Sequence, residues 1–543
     1  MPLSSQLVSE PESAAARAAW ANAAGGATNQ ARPAGPAAHA SRRWLSLVAV
    51  CLGMMMTFLN ITATIAALSA IQADLHTSTT TLVWITSSYT LVVASLVLSA
   101  GTIGDLLGRR TVFMLGAAIL ALGSLTAFLA GNASALIAGQ AAMGIGGAMI
   151  LPNSLAIVGS TFRDPHERTE AIGIWAACSG LGLAIGPISA GVLLRHFTWH
   201  SVFLVNVAVA VIVLVATPLL VVNSRQPGRS LDIPGLALAT MSIASITYAV
   251  IEGAHRGYTS GLILLAAATF VLTLVLFITL ELRHHDPMMD IRLFRSASFS
   301  TVMAIAASSL FGFTGVALMM VLFFQKAQGL SALATGSRLL PMMGVYVVVS
   351  SIAARVVRRV GFKITLTAGL ALTAAGAAQL LGIEPSSSFN SIWPGLAVFG
   401  LGSGLLLAPS TAAAVISVPH QRGGMASATV NMFRQLGGVL GASVLGSIFT
   451  THFAATLPTN LASRSVPATV ASEVISAAST GTAGAVPGAL GVNISAAVGH
   501  ALSGAVHDGL LVAVLVAFVT AVPAAVFVRT RPALAAPTVG GGK

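Results

Sequence analysis

The stretch G-T-I-G-D-L-L-G-R-R, Gly101 to Arg110, separates two apolar runs, 82–100 and 112–130. Each run is close to the ~20 residues needed to cross a hydrocarbon core, so the three pieces read as a membrane hairpin. The glycines admit a tight turn, and Asp105 is placed to cap the helix that follows. Arg109 and Arg110 form a basic pair of the kind retained on the cytoplasmic side, which orients everything around it.

Composition extends this reading to the whole chain. Of 543 residues, 55% are hydrophobic and 8% are charged, against about 25% charged in an ordinary soluble domain. The chain is therefore expected to be an all-α integral membrane protein. Its formal charge is +12, but the basic residues stand singly or in pairs at the ends of apolar runs. That spacing fits positive-inside topology and excludes a nucleic-acid-binding role. Cys51 and Cys178 both fall inside apolar runs, offer no disulfide framework and read as small packing residues.

Fourteen spans are expected, at 45–68, 82–101, 112–130, 134–160, 171–194, 202–222, 233–251, 261–282, 299–324, 339–356, 364–382, 393–417, 425–450 and 509–528. With a cytoplasmic N-terminus, 21 of the 27 Lys and Arg residues face inward, five face outward, and Arg434 lies within a span. Both termini are thus expected in the cytoplasm, at the inner or plasma membrane. Residues 1–40 are rich in Ala, Pro, Gly and Ser without a signal-like apolar core, and 1–44 reads as a disordered cytoplasmic tail, with 529–543 a second cytoplasmic tail. Residues 454–508 read as a long extracellular loop in which 485–501 has the makings of a short surface helix.

Gly144 to Pro152, G-I-G-G-A-M-I-L-P, recurs as Gly400 to Pro409, G-L-G-S-G-L-L-L-A-P, each ahead of a basic loop and a glycine-rich span. The turn R-R-V-G-F-K, Arg358 to Lys363, likewise echoes the one after the second span. The repeat divides the chain into six-helix bundles at 45–222 and 299–528, with two linker helices inserted at 223–298. Parallel repeats of this sort build one large class of secondary transporters, with the substrate site between the halves.

These residues resemble the major facilitator superfamily and, within it, the fourteen-spanner drug:proton antiporters. Gly101, Asp105, Gly108, Arg109 and Arg110 match its loop motif, with Leu106 where a basic residue is common. The resemblance implies a gating loop that latches the cytoplasmic side. In the fifth span Gly180, Gly182, Gly186, Pro187 and Gly191 are similar to the motif of exporting members: small residues let backbones approach, and Pro187 frees a carbonyl and bends the helix. The likeness continues through W-H-S-V-F-L-V-N-V, Trp199 to Val207, and from Gly400 to R-Q-L-G-G, Arg434 to Gly438. It implies two six-helix bundles plus two inserted helices, alternating access, and export of lipophilic or amphipathic compounds such as antibiotics.

The departures from the pattern are informative. Asn60 stands where the family usually has an acid, and Gln140 where it usually has an arginine. At 1.5 Å per residue they lie about 12 Å and about 9 Å below the outer ends of their helices, at matching depth. Losing both charges together leaves two amides able to hydrogen-bond, which is physically coherent. None of the fifteen acidic residues falls near the middle of a span. Proton coupling is accordingly expected to be absent, or carried by a boundary group such as Asp105 or Glu252.

The candidate substrate cavity comprises Asn60, Thr64, Trp84, Tyr89, Gln140, Trp175, Phe311, Met319, Tyr346, Asn431 and Arg434. Aromatic and methionine surfaces adapt to varied lipophilic ligands. Arg434 is placed either to meet an anionic or carbonyl-bearing substrate or to snorkel to the nearby surface. No cofactor is expected. Lys326, Lys363 and Lys543 follow no phosphate-binding glycine spacing, and His284, His285 and Asp286 are poorly spaced for a metal. The expected partners are a small-molecule substrate, the bilayer and, as a candidate, protons, with the chain a monomer. A facilitator without coupling, or an exporter dedicated to one lipid or metabolite, is the alternative reading. A membrane enzyme would need a buried His, Asp, Ser or Cys constellation that the spans do not offer, and a sensor would need an output domain.

Overall fold

The computed structural model describes residues 36–528 except 163, 226–231, 285–286, 288, 419–422 and 481–488. The expected tails at 1–35 and 529–543 lie outside that range, as do His285 and Asp286. From Leu45 onward the chain is one compact unit, and no strand occurs among the described residues.

The helices are α1 (Pro36–Leu75), α2 (Thr79–Leu107), α3 (Arg109–Phe128), α4 (Ala133–Thr161), α5 (Pro165–His196), α6 (Ser201–Leu220), α7 (Ile233–Arg256) and α8 (Gly261–Arg283). A 3₁₀ turn, Ile291–Arg295, leads into α9 (Ala297–Leu322), which ends in a π turn, Phe323–Ala327. There follow α10 (Ala332–Arg338), α11 (Leu340–Gln379), α12 (Phe389–Gly404), α13 (Leu407–Ile416), α14 (Gly423–Ser463), α15 (Ala468–Thr480) and α16 (Ala489–Phe527).

Thirteen helical segments among the described residues are long and apolar enough to span a membrane. The expected count was fourteen. The difference arises because the spans expected at 339–356 and 364–382 are joined in one helical segment, Ala332–Gln379. Within it Gly361 has φ +82° and ψ 168°, so two helices meet at a kink inside R-R-V-G-F-K. Only glycine enters that backbone region without steric cost.

Two other expectations are corrected. Residues 36–44 are helical, as the first part of α1, where a tail was expected. The segment expected as a loop at 454–508 is largely helical: α14 runs out to Ser463, α15 follows, and α16 starts at Ala489. Leu457, Leu461, Val466, Val474, Ile494, Ala497 and Ala501 pack there as a small core. An alanine-rich segment has high helix propensity even when its hydropathy is weak.

The internal repeat is visible as equivalent packing. A Cβ on Gly146 of α4 would stand 2.5 Å from the Gly116 carbonyl oxygen of α3, and one on Gly402 of α12 would stand 2.5 Å from the Gly369 carbonyl oxygen of α11. One turn pair away, Gly139 approaches the Gly123 carbonyl at 3.0 Å and Gly395 the Gly376 carbonyl at 3.1 Å. Both seams use glycines seven residues apart, because close helix contact recurs every two turns.

Candidate functional site

The hairpin turns at a single residue. α2 continues through Leu107 and α3 starts at Arg109, with Gly108 between them at φ +107°. Gly101 is therefore inside a helix, facing Pro152. Asp105 does not cap α3, contrary to expectation: the N-cap residue of that helix is Gly108. Instead Asp105 Oδ1 accepts from Arg109 Nε at 3.0 Å and stands 2.9 Å from Nη2, an ion pair that spans the turn at Gly108.

The loop is clamped from two sides. Arg109 Nη1 donates to the Ala156 carbonyl of α4 at 3.3 Å, and Asn153 Nδ2 donates to the Ala100 carbonyl at 3.1 Å. Beyond α6, Ser224 accepts from the Arg109 amide through its carbonyl, Asn223 Oδ1 accepts from the Arg110 amide, and the Val221 carbonyl accepts from Arg110 Nη1. Asn153 and Asn223 were not singled out from sequence, where a lone asparagine carries no signal.

α5 presents two glycine faces. Gly182 and Gly186 meet α1 at Met55, Leu59 and Thr62, whereas Gly180, Pro187 and Gly191 meet α11 and α10 at Tyr346, Gly336 and Leu333. Spacings of four on the first face and seven and eleven on the second follow the helical period. Pro187 has no N–H for the Leu183 carbonyl, and Thr62 Oγ1 donates to that carbonyl at 3.0 Å. The missing donor is thus supplied from α1.

Asn60 and Gln140 are in direct contact. Asn60 Nδ2 donates to Gln140 Oε1 at 2.9 Å, Gln140 Nε2 donates to Thr64 Oγ1 at 2.8 Å, and Asn206 Nδ2 donates to Asn60 Oδ1 at 3.2 Å. This chain ties α1, α4 and α6 together with every member at most 2% exposed. Asn206 was missed because its span was read for hydropathy alone.

Arg434 is buried and does not snorkel. Nη1 donates to Asn431 Oδ1 at 2.7 Å, and Nη2 to the Leu407 carbonyl, Ser410 Oγ and Thr411 Oγ1 at 3.0, 3.2 and 2.9 Å. Pro409 cannot donate to the Leu405 carbonyl, and there the helix divides into α12 and α13, which brings these acceptors to α14. Nε of Arg434 has no partner, and all four acceptors are neutral. Tyr346 packs on Phe313 at 5.1 Å between ring centroids and lies close enough to Arg434 to interact electrostatically.

The remaining candidates are scattered. Tyr89 is buried with its hydroxyl on the Thr57 carbonyl at 2.9 Å, and Trp175 Nε1 donates to Ser154 Oγ at 3.0 Å. Phe311 abuts Gly441 of α14 through its backbone, and Met319 Sδ faces Gly509 of α16. Trp84 faces α7, donating to Glu252 Oε1 at 3.0 Å. Glu252 also accepts from Arg256, whose guanidinium that hydrogen bond holds above its usual range.

A helical bundle whose spans are this numerous, with a repeated glycine seam and a buried polar interior, defines a polytopic membrane transporter. Residues 50–442 match the Major Facilitator Superfamily, and the chain belongs to that family. It is 34% identical over 432 residues to the multidrug resistance protein Stp of Mycobacterium tuberculosis, covering 79% of this chain and 80% of that protein. The tetracenomycin C resistance and export protein of Streptomyces glaucescens is 31% identical over 501 residues, covering 91% and 92%. Among solved structures, a bacterial homologue of the human lysosomal transporter Spinster, inward-facing and unoccupied, superposes with a TM-score of 0.62 at 15% identity, over 90% of this chain and 98% of that one.

Proposed function

We propose that the protein exports lipophilic or amphipathic small molecules, antibiotics among them, across the plasma membrane by alternating access. The moving parts are the six-helix halves 45–222 and 299–528, with 223–298 inserted between them and both termini in the cytoplasm. The observation that carries this reading is the double glycine face of α5, which meets α1 within its own half and α10 and α11 across the divide. Small residues on the second face let two helices slide without interlocking side chains.

Contacts across the divide support a state closed at the end opposite Arg109 and Arg110. Gly191 meets Leu333, Gln325 Nε2 donates to the Ala66 carbonyl at 3.0 Å, and Lys326 Nζ donates to Gln72 Oε1. The named relatives, resistance and export proteins, support the outward direction of transport.

The uncharged chain through Asn60 and Gln140 favours a second reading, transport of a neutral compound without coupling at that position. A cationic drug gains most from a buried carboxylate, which this site does not provide.

The test is expression in a drug-sensitive bacterium lacking its own pumps, with tolerance profiled across compound classes. Raised tolerance to lipophilic compounds that Asp105→Asn abolishes is the expected result. No gain in any class overturns the export reading.

A further inference from the structure

We propose that Asp232 and Glu281, on the two inserted helices, form a two-carboxyl site that holds one proton and through which a pH gradient acts on transport. The link of this site to the gradient rests on the transport reading above.

Asp232 directly precedes α7 and caps it, Oδ1 accepting from the Gly235 amide at 2.8 Å. Glu281 is in the last turn of α8, where Oε2 accepts from the Met289 amide at 3.3 Å. The two residues are 5% and 2% exposed. The second oxygen of each, Asp232 Oδ2 and Glu281 Oε1, is closed off from solvent and receives no N–H or hydroxyl donor. Asp232 at the start of α7 and Glu281 in the last turn of α8 lie at the same end of two packed helices, and the two carboxyls interact electrostatically.

Ionised carboxylates only accept, so a hydrogen bond between two of them requires a proton on one. With both ionised, like charges would face each other in a dry pocket, an arrangement that buried carboxylate pairs avoid by keeping one proton. The helix ends decide which oxygen carries it. Asp232 sits at the positive end of α7 and accepts its amide, which favours the anion there; Glu281 sits at the negative end of α8, which favours the acid. Glu281 Oε1–H therefore donates to Asp232 Oδ2, and one proton completes both groups.

Among the described residues, His284 at the end of α8 interacts electrostatically with Glu281. The lead-in to α9 brings Asp290, whose Oδ1 accepts from the Arg292 amide at 3.0 Å, and Arg292, whose Nη2 reaches the Leu282 carbonyl at 3.4 Å. The Asp290 amide donates to Met425 Sδ of α14 at 3.4 Å. Higher up, Ile243 of α7 packs with Ala94 of α2 and Val439 of α14, and Ser447 Oγ donates to the Val250 carbonyl at 3.0 Å. Deprotonation would set two anions against each other at the foot of α7 and α8, and α7 is the helix that touches both halves.

The test uses the full chain in lipid nanodiscs, read by infrared difference spectroscopy between acid and alkaline pH. A carbonyl band of a protonated carboxylic acid, present at neutral pH and lost on alkalinisation, is expected in the parent protein. It should vanish in both Glu281→Gln and Asp232→Asn, because either amide supplies an N–H in place of the proton, and it should persist in Asp105→Asn. In proteoliposomes loaded with a lipophilic fluorescent dye, the ratio of efflux with a pH gradient to efflux without one should fall to unity in both variants. Absence of the band, or its survival in both variants, overturns the proton site. An unchanged efflux ratio overturns its role in coupling. Failure of the parent protein to move dye counts against the export reading, and the infrared band still decides whether the pair holds a proton.

Discussion

Thr62 Oγ1 donates at 3.0 Å to the Leu183 carbonyl, the acceptor that Pro187 deprives of its helical donor. The hydroxyl and the imide ring are thus two halves of one device: the ring removes a donor from α5 and the hydroxyl of α1 satisfies the oxygen left over. Thr62→Val should leave that carbonyl bare and cost about 1–3 kcal/mol. In Pro187→Ala the amide of residue 187 returns, so adding Thr62→Val should cost clearly less than in the parent chain. Thermal midpoints of the four proteins in a double-mutant cycle check this; additive losses would mean the contact contributes nothing.

Asn60 and Gln140 should behave as one unit. Asn60→Asp alone removes the N–H that Gln140 Oε1 accepts and introduces an unpaired buried carboxylate, at a cost of about 3 kcal/mol. Adding Gln140→Arg supplies the opposite charge, so the double variant should regain at least half of the lost midpoint. Asn60→Asp is also expected to shift the substrate range toward cations in a tolerance profile. An unchanged profile would leave the position with a structural role alone.

How much of this was legible depended on whether chemistry follows sequence spacing. Hydropathy located the spans, and the repeat from Gly144 and Gly400 is legible in sequence, whereas the glycine seams spaced seven apart emerge only from how the helices pack. The joint change at Asn60 and Gln140 was visible as matched depth. Asn206 was not, since its pairing depends on how α6 rotates against α1. Asp232 and Glu281 read as ordinary helix-end acids, and the contact of Glu281 with the Met289 amide, eight residues on, is announced by no local pattern. Residues 454–508 read as a loop with one short helix because their hydropathy is low, whereas alanine-rich helix propensity makes most of the described ones helical.

The two faces of α5 should separate stability from transport. A Cβ on Gly182 would run into the Met55 carbonyl of α1, a contact inside one half. Gly182→Ala is expected to lower the thermal midpoint through overpacking of about 1–3 kcal/mol. A Cβ on Gly191 would stand 2.5 Å from Leu333 Cα across the divide. Gly191→Ala should instead favour the state in which α5 and α10 are apart, raising labelling of a cysteine placed at Leu333 by a membrane-impermeant thiol reagent. Equal loss of stability with no gain in labelling would remove α5 as a sliding surface.

Arg434 separates the two readings left open by its position in the chain. Four neutral acceptors hold the guanidinium, its Nε has no partner, and 3% of the residue is exposed, so its charge is neither neutralised nor delivered to water. A buried cation of this kind is costly unless something anionic or carbonyl-bearing shares its site for part of the cycle. Arg434→Gln keeps amide donors near Ser410 and Thr411 while removing the charge. If the cation contacts substrate, binding of an anionic lipophilic dye should weaken by about tenfold, equivalent to about 1.4 kcal/mol, while a neutral dye of similar size is little affected. If the guanidinium only ties α13 to α14, both dyes should weaken together and the thermal midpoint should fall with them. Fluorescence polarisation with the two dyes, run beside a melting curve, distinguishes these outcomes, because a purely structural arginine has no means of telling one charge from another.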